Sequence, residues 1–471
     1  MNSELRDRLT LWVGIAMAAV AGLTLFSWVA LSALVEPGAF GASGRLALNM
    51  AFLPSRVQKA WEEALDNITG EEAIRHLAVP RPEMDMTGFR PVTMVDGSQL
   101  SGLMVRGDLA RADRGWRLLG GAMQIEGRAE SAVALLDPNL TVQRLWVLDE
   151  DDVQAQDKSL ASRRVLHGLT MEPESGAIVF NLDFGSAVQK RDMCNRPIWI
   201  AEGKYHHSVM PVDGGMAYWT LRDDGFATQH LSGDPATPHN TGFVKLDAAT
   251  GEVLQEFGLE ELIAANPGLG VFELGRVDEE EAQSNAAGVV GRWRPDPMHF
   301  NDADPLPPHL AGAFPQFEVG DLLVSARNIN TVLVIDPDTL KVKWHQTGGF
   351  LRQHDPDWQP DGSISVFDNG MGAGQSRILK IDVSSHGIST TYDDGDFYTR
   401  VRGKHMRTGR GDLAVVSPQQ GRAFEMGTGG APVLEFVNLM PGSDDRSFGL
   451  NEYQWLPEGA VKAGDTTCTG S

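Results

Sequence analysis

The sequence predicts an all-β fold, a six-bladed β-propeller, carried behind one N-terminal transmembrane helix and a short helical stalk. Three observations predict it: a strand–turn–strand unit that recurs along the chain, a second recurring unit that opens each repeat, and one long uncharged segment near the start.

The uncharged segment spans residues 9–35, with no charge between Arg8 and Glu36. That length crosses a bilayer as a helix, and it exceeds the apolar core of a cleaved leader. Arg6 and Arg8 precede it and Glu36 follows it, which places the N-terminus inside and the bulk of the chain outside the cytoplasmic membrane. Residues 1–38 are therefore read as a cytoplasmic tip and anchor. Residues 39–100 are read as a helical stalk or collar, with helical stretches at 56–65 and 71–77 ended by Pro80, Pro82 and Pro91.

From about Ser101 the texture changes to short β-branched and apolar runs broken by Gly, Asp, Asn and Pro. The first repeated unit is an apolar strand ending in Asp, a turn, and another strand. It reads AVALLDPNLTVQRLWVL from Ala132, GFVKLDAATGEVLQEF from Gly242, TVLVIDPDTLKVKWHQ from Thr331 and RILKIDVSSHGISTTY from Arg377, with a degenerate copy, RAFEMGTGGAPVLEFV, from Arg422. Such pairs are the outer hairpins of propeller blades. The second unit opens at His167, His206, His299, His354, His405 and Asn451. The first hairpin has no opening before it and the last opening has no hairpin after it, so the two chain ends are expected to share one blade. The count is six blades over residues 101–463, with seven as the alternative and 464–471 as a tail.

Formal net charge is −23, from 63 acidic and 40 basic residues. That field repels polyanions, so nucleic acid is excluded as a partner. Two cysteines, Cys194 and Cys468, exclude a disulfide scaffold and a Cys-ligated metal centre, and free thiols are the expectation for both. No nucleotide loop, zinc motif or EF-hand pattern is present.

Equivalent positions in successive blades converge on the central channel. Five of the six openings are His, in a chain with 12 His in all. A ring of imidazoles at a channel mouth suits metal binding, proton transfer or nucleophilic catalysis. Shared ancestry of a polar turn residue is the plainer explanation.

Three segments carry a more specific signal: MHFNDADPL at 298–306, LLVSARNINTVLVID at 322–336 and RQHDPDWQPDGSISVFDNG at 352–370. With them the chain resembles the bacterial arylsulfate sulfotransferases over most of the propeller. The resemblance implies a six-bladed propeller that moves a sulfuryl group from a phenolic sulfate ester to a phenol without the nucleotide sulfate donor. It implies a ping-pong route through a sulfated histidine, with no cofactor and no metal. By motif, His354 would be the nucleophile, and His299, Asn301 and Arg327 would hold the sulfuryl oxygens. A further catalytic histidine falls in the His206–His207 pair, where repeat register favours His206 and a slip of one residue chooses His207. His207 and His405 are read as substrate-binding. The chain departs from the family in its anchor, and in the short run between Arg327 and His354 that shapes the acceptor side. The competing expectations are a non-catalytic propeller that binds an anionic ligand or a partner protein, and a His-ligated metal site, which metal content separates. The state of self-association stays open.

Overall fold

The computed structural model describes residues 77–461, apart from 150–164, 174, 184, 224–240, 278–291 and 295, together with residues 22, 24–29, 32, 43, 46 and 50. The chain divides into two units, Met1–Glu72 and Ala73–Ser471. In the first, the described residues are helical. Most of the expected anchor and both expected stalk helices, apart from Leu77, lie outside the described residues. Among the described residues no helix is long and apolar enough to cross a membrane.

The second unit is all-β, with four separate four-stranded antiparallel sheets in a propeller-like arrangement and one ten-stranded sheet. The first sheet runs Val165–Met171, Ile178–Asp183, Ala187–Arg191 and Pro197–Glu202. The second runs Tyr205–Val212, Ala217–Arg222, Gly242–Asp247 and Val253–Gly258. The third holds Phe300–Pro305, Leu322–Ala326, Thr331–Asp336 and Lys341–Thr347. The fourth holds His354–Trp358, Ser363–Asp368, Arg377–Asp382 and Ile388–Tyr392.

The ten-stranded sheet begins at Lys404–Arg407 and ends at Leu450–Pro457, and these two strands lie against each other, so it closes nearly into a barrel. Leu450–Pro457 pairs antiparallel with Gly115–Ile125, the expected meeting of the two ends of the repeat region. One expectation is corrected here. Part of the expected collar is strand rather than helix: Ala78–Pro80, Arg90–Met94 and the start of Gln99–Gly107 pair in sheets, the last two inside the ten-stranded sheet. Val92 and Leu100, inside the expected collar, are buried on these strands.

Position in the sheet sets the sequence of each strand. Second strands such as LLVSA (Leu322–Ala326) and SISVFD (Ser363–Asp368) are buried at every residue, because both faces are covered. Outer strands such as KVKWHQT (Lys341–Thr347) stay partly exposed and polar. The Asp that ends the third strand of the second, third and fourth sheets makes the following turn: Asp247 accepts from the backbone N–H groups of Ala249 and Thr250, Asp336 from those of Asp338 and Thr339, and Asp382 from those of Ser384 and Ser385.

The first strands form a closed ring around the channel. Val165–Met171 lies against Tyr205–Val212, and the series continues through Phe300–Pro305, His354–Trp358, Lys404–Arg407 and Leu450–Pro457 back to the start. Cys194 is disulfide-bonded, against the expectation of a free thiol, while Cys468 lies outside the described residues.

Candidate active site

Five of the six first strands bulge near the ring entry. Register shifts fall between Leu166 and Gly168, His206 and Val209, Phe300 and Asp302, His354 and Asp357, and Leu450 and Glu452. A bulge leaves residues unpaired and re-aims their side chains, here toward the axis. Backbone in the left-handed region accompanies it, with φ of 57° at His207, 47° at His299, 51° at Asp355 and 63° at Arg402. For non-glycine residues that conformation costs energy and persists where the surroundings enforce it.

A cavity of about 340 Å³ opens at this end of the channel. His167, His206, His207, His299, His354, Arg327 and Arg402 line it, with Asp183, Asp223, Asp296, Thr241 and Val401. His207 sits centrally. Its ring centroid is 3.9 Å from that of His167, 4.8 Å from His206, 5.2 Å from His299 and 6.2 Å from His354.

The imidazoles differ in their partners. His206 Nε2 lies 2.8 Å from Asp223 Oδ1, and His206 Nδ1 lies 2.5 Å from His207 Nδ1. Thr241 donates its hydroxyl to the same Asp223 oxygen at 2.7 Å. His299 pairs through Nδ1 with Asp296. His354 Nδ1 lies 2.6 Å from Asn369 Oδ1 and 3.2 Å from the Arg352 carbonyl oxygen. His167 is buried, and its Nδ1 has no hydrogen-bond partner among the described residues, with Asp183 3.8 Å away.

Burial sets the protonation states. It pushes His354, His207 and His167 well below the ordinary imidazole value, with Asp183 acting against the shift at His167. For His354 the chief neighbour is Arg327. His299 is lowered as well, by burial, with Asp296 acting against the shift. Arg327 is itself pulled down by burial to about 10, although Asp296 faces it. Asp296 and Asp183 stay below the usual carboxylate value despite burial, held there chiefly by His299 and by His167 with Arg402. Burial thus holds His354, His207, His167 and His299 toward the neutral form, beside the Arg327 and Arg402 guanidinium groups.

The structure brings His354, His299, Arg327, His206 and His207 together around one cavity. Asn301 lies just beneath, in a space of about 20 Å³ shared with His207, His354, Ser208 and Asn451. Its amide donates to the Gln353 carbonyl at 2.9 Å, while its Oδ1 is buried without a partner among the described residues. His405 is elsewhere. Its strand has no bulge, and its ring sits between Asp355, at 2.9 Å, and Ser365, at 2.7 Å, lining a separate cavity of about 440 Å³ with Asp357 and Trp358. Of the two histidines read as substrate-binding, His207 lines the first cavity and His405 the second. Arg327 faces Asp296, whereas Asp336 lies beside Lys343 at 3.8 Å.

Sequence reading missed Asp183, Asp223, Asn369 and Arg402. The first three stand at or just after the ends of second strands, where Arg327 also stands. Carrying the repeat frame one strand further along each unit finds them. Arg402 lies in a loop and carries no such signal.

Fold and site together define an all-β, propeller-like protein with an anion-suited, histidine-lined cavity at the convergence of its first strands. The chain belongs to the arylsulfotransferase (ASST) family, whose sequence model matches residues 175–439, more than half the chain. Membership supports a sulfotransferase enzyme. No curated protein matches the chain significantly. Among solved structures, a protein of unknown function from Bacteroides caccae aligns at 10% identity over 73% of this chain and 99% of that one, with a TM-score of 0.45. Virginiamycin B lyase from Staphylococcus aureus aligns at 12% identity over 64% and 85%, with a TM-score of 0.33. BamB from Moraxella catarrhalis aligns at 10% over 67% and 84%, with a TM-score of 0.31. At these scores the likenesses carry no functional inference.

Proposed function

We propose that this protein transfers a sulfuryl group from a phenolic sulfate ester to a phenol, through a covalent sulfohistidine on His354. The observation that carries the proposal is the convergence of His354, His299, His207 and Arg327 on one cavity, in a chain of this family. Its volume of about 340 Å³ suits a single-ring aryl sulfate.

Neutral imidazole is a competent nucleophile, and burial keeps His354 in that form. Arg327 and Arg402 offer fixed positive charge where the sulfuryl oxygens and the departing phenolate develop theirs. His299, bonded to Asp296 through Nδ1, is placed to give a proton to the leaving oxygen and take one from the acceptor, while His206, held at both nitrogens by Asp223 and His207, can act only through His207. A monoester of sulfate carries one charge, which two guanidinium groups can match.

In the same reading the ten-stranded sheet is two blades joined by the strands Gln99–Gly107 and Arg90–Met94, which brings the count to six. The uncharged run at 9–35 anchors the chain in the cytoplasmic membrane, with the propeller outside. A bonded Cys194 fits an oxidising compartment.

The test is turnover of a chromogenic aryl sulfate with a phenol acceptor by the purified chain. Wild type should show parallel double-reciprocal lines, and His354→Ala should lose about 10³-fold or more in kcat. Binding of aryl sulfates without turnover across a panel of donors and acceptors would instead support a binding module.

A further inference from the structure

We propose that Asn369 is the positioning residue that selects Nε2 as the reacting atom of His354, and that the partner of each imidazole in the cavity sorts the covalent carrier from the proton carriers. This rests on the sulfohistidine reading above and adds to it the atom and the division of labour.

The hydrogen bonds over-determine the tautomer. The Arg352 carbonyl, 3.2 Å from His354 Nδ1, can only accept. Asn369 turns its amide nitrogen to the Thr399 and Arg402 carbonyl oxygens, at 2.9 and 2.6 Å, so the oxygen it turns to Nδ1 is also an acceptor. Nδ1 therefore carries the proton. On the other side of the ring the Arg402 backbone N–H donates to Nε2 at 3.2 Å, which requires the lone pair there. Three independent contacts give one answer, and they do not depend on a guess about amide orientation.

The other imidazoles are backed differently. His206 faces Asp223 and His299 faces Asp296, and a carboxylate can take up or hand back a proton. An amide cannot take a proton. In the forward step the Nε2 lone pair gives up the Arg402 N–H and forms the N–S bond, while the S–O bond to the aryl oxygen breaks and its electron pair leaves on that oxygen. The proton for this oxygen comes from a His–carboxylate pair, and the incoming phenol later returns one to it. Throughout, the Nδ1 proton stays between His354 and Asn369. The carrier is then a sulfoimidazolium, whose neutral imidazole leaves readily when the acceptor oxygen attacks sulfur. A carboxylate at residue 369 would draw that proton away and make the imidazole a poorer leaving group.

Two measurements test this. In donor-free wild type with 15N-labelled histidine, NMR should show His354 protonated at Nδ1 and bare at Nε2 on both sides of neutrality; a proton on Nε2 overturns the proposal. In Asn369→Asp, sulfation by donor should persist while discharge of the sulfated enzyme by phenol slows about tenfold or more. Equal slowing of both half-reactions would mark a purely structural role and also overturn it. If no sulfated enzyme forms even in wild type, the sulfotransferase reading fails, and the NMR result still decides the tautomer on its own.

Discussion

His354, His207 and His167 are imidazoles that burial keeps neutral, and that has a consequence for pH. Each has a proton affinity below that of a free imidazole, whose ordinary value is 6.5. As pH falls through 6.5, the unfolded chain takes up protons on these residues and the folded chain does not. Stability therefore drops on acidification in that window, while the site stays in its reactive form. The acid limb for sulfation of the enzyme by donor alone should lie below pH 6.5, read by rapid quench and intact mass. A limb at or above 6.5 would mean that the attacking imidazole is not the buried one. Among these residues, His354, His299, Asn301 and Arg327 were legible from local motifs alone. His207 was legible only as one of a pair, because the choice between His206 and His207 is made by a bulge, and a one-residue slip reverses every side chain of a strand.

At the scale of elements, the site depends on how closely neighbouring first strands approach. Gly168, just after the bulge of the first sheet, has no room for a side chain: a Cβ there would lie 1.9 Å from the His207 carbonyl oxygen and 2.9 Å from Asn181 Nδ2. Asn181 donates to that same carbonyl at 3.0 Å, which ties the second sheet to the first. Gly168→Ala should therefore push the His207 strand away, costing about 1–3 kcal/mol in urea unfolding and far more activity than that loss of stability explains. Wild-type turnover in this variant would show that the approach is incidental. The repeat units were readable for most elements, because Asp-bounded turns and apolar strands leave a regular trace. One outer hairpin was not found, Ala187–Arg191 with Pro197–Glu202. Its inner member is buried at every position although it reads AVQKR. Lys190 pairs with Glu172 at 2.5 Å and Arg191 with Asp149 at 2.9 Å, so buried charges satisfied by distant partners hide the strand from a hydrophobic pattern. Its turn still follows the rule, with Asp192 accepting from the N–H groups of Cys194 and Arg196.

The whole ring is held shut where the ends of the repeat region meet. Arg117, on the strand that pairs with Leu450–Pro457, is fully buried and bonds Glu425 through Nε at 3.0 Å and Nη2 at 3.1 Å. Its remaining donors reach the Gly115 and Asp113 carbonyl oxygens at 2.8 and 2.7 Å, and Tyr453 donates its hydroxyl to Glu425. Three parts of the ten-stranded sheet, far apart in sequence, thus share one carboxylate. Replacing a buried ion pair with apolar groups is often neutral, but removing one partner leaves the other charge uncompensated. Glu425→Gln should destabilise the chain by about 3–5 kcal/mol in urea unfolding. A loss below about 1 kcal/mol would place closure in the strand pairing alone. The meeting of the chain ends was foreseeable from an unmatched opening and an unmatched hairpin. The buried pair that locks it was not, because residues 117, 425 and 453 share no local pattern.

The account stands most directly on the covalent state of His354. The purified chain should be incubated with an aryl sulfate and no acceptor, then digested and sequenced by mass spectrometry under conditions that preserve the N–S bond. The account predicts one added sulfuryl group, carried by His354, released when phenol is added and missing in His354→Ala. A sulfuryl group on His207 or His299, or its persistence in His354→Ala, would contradict it.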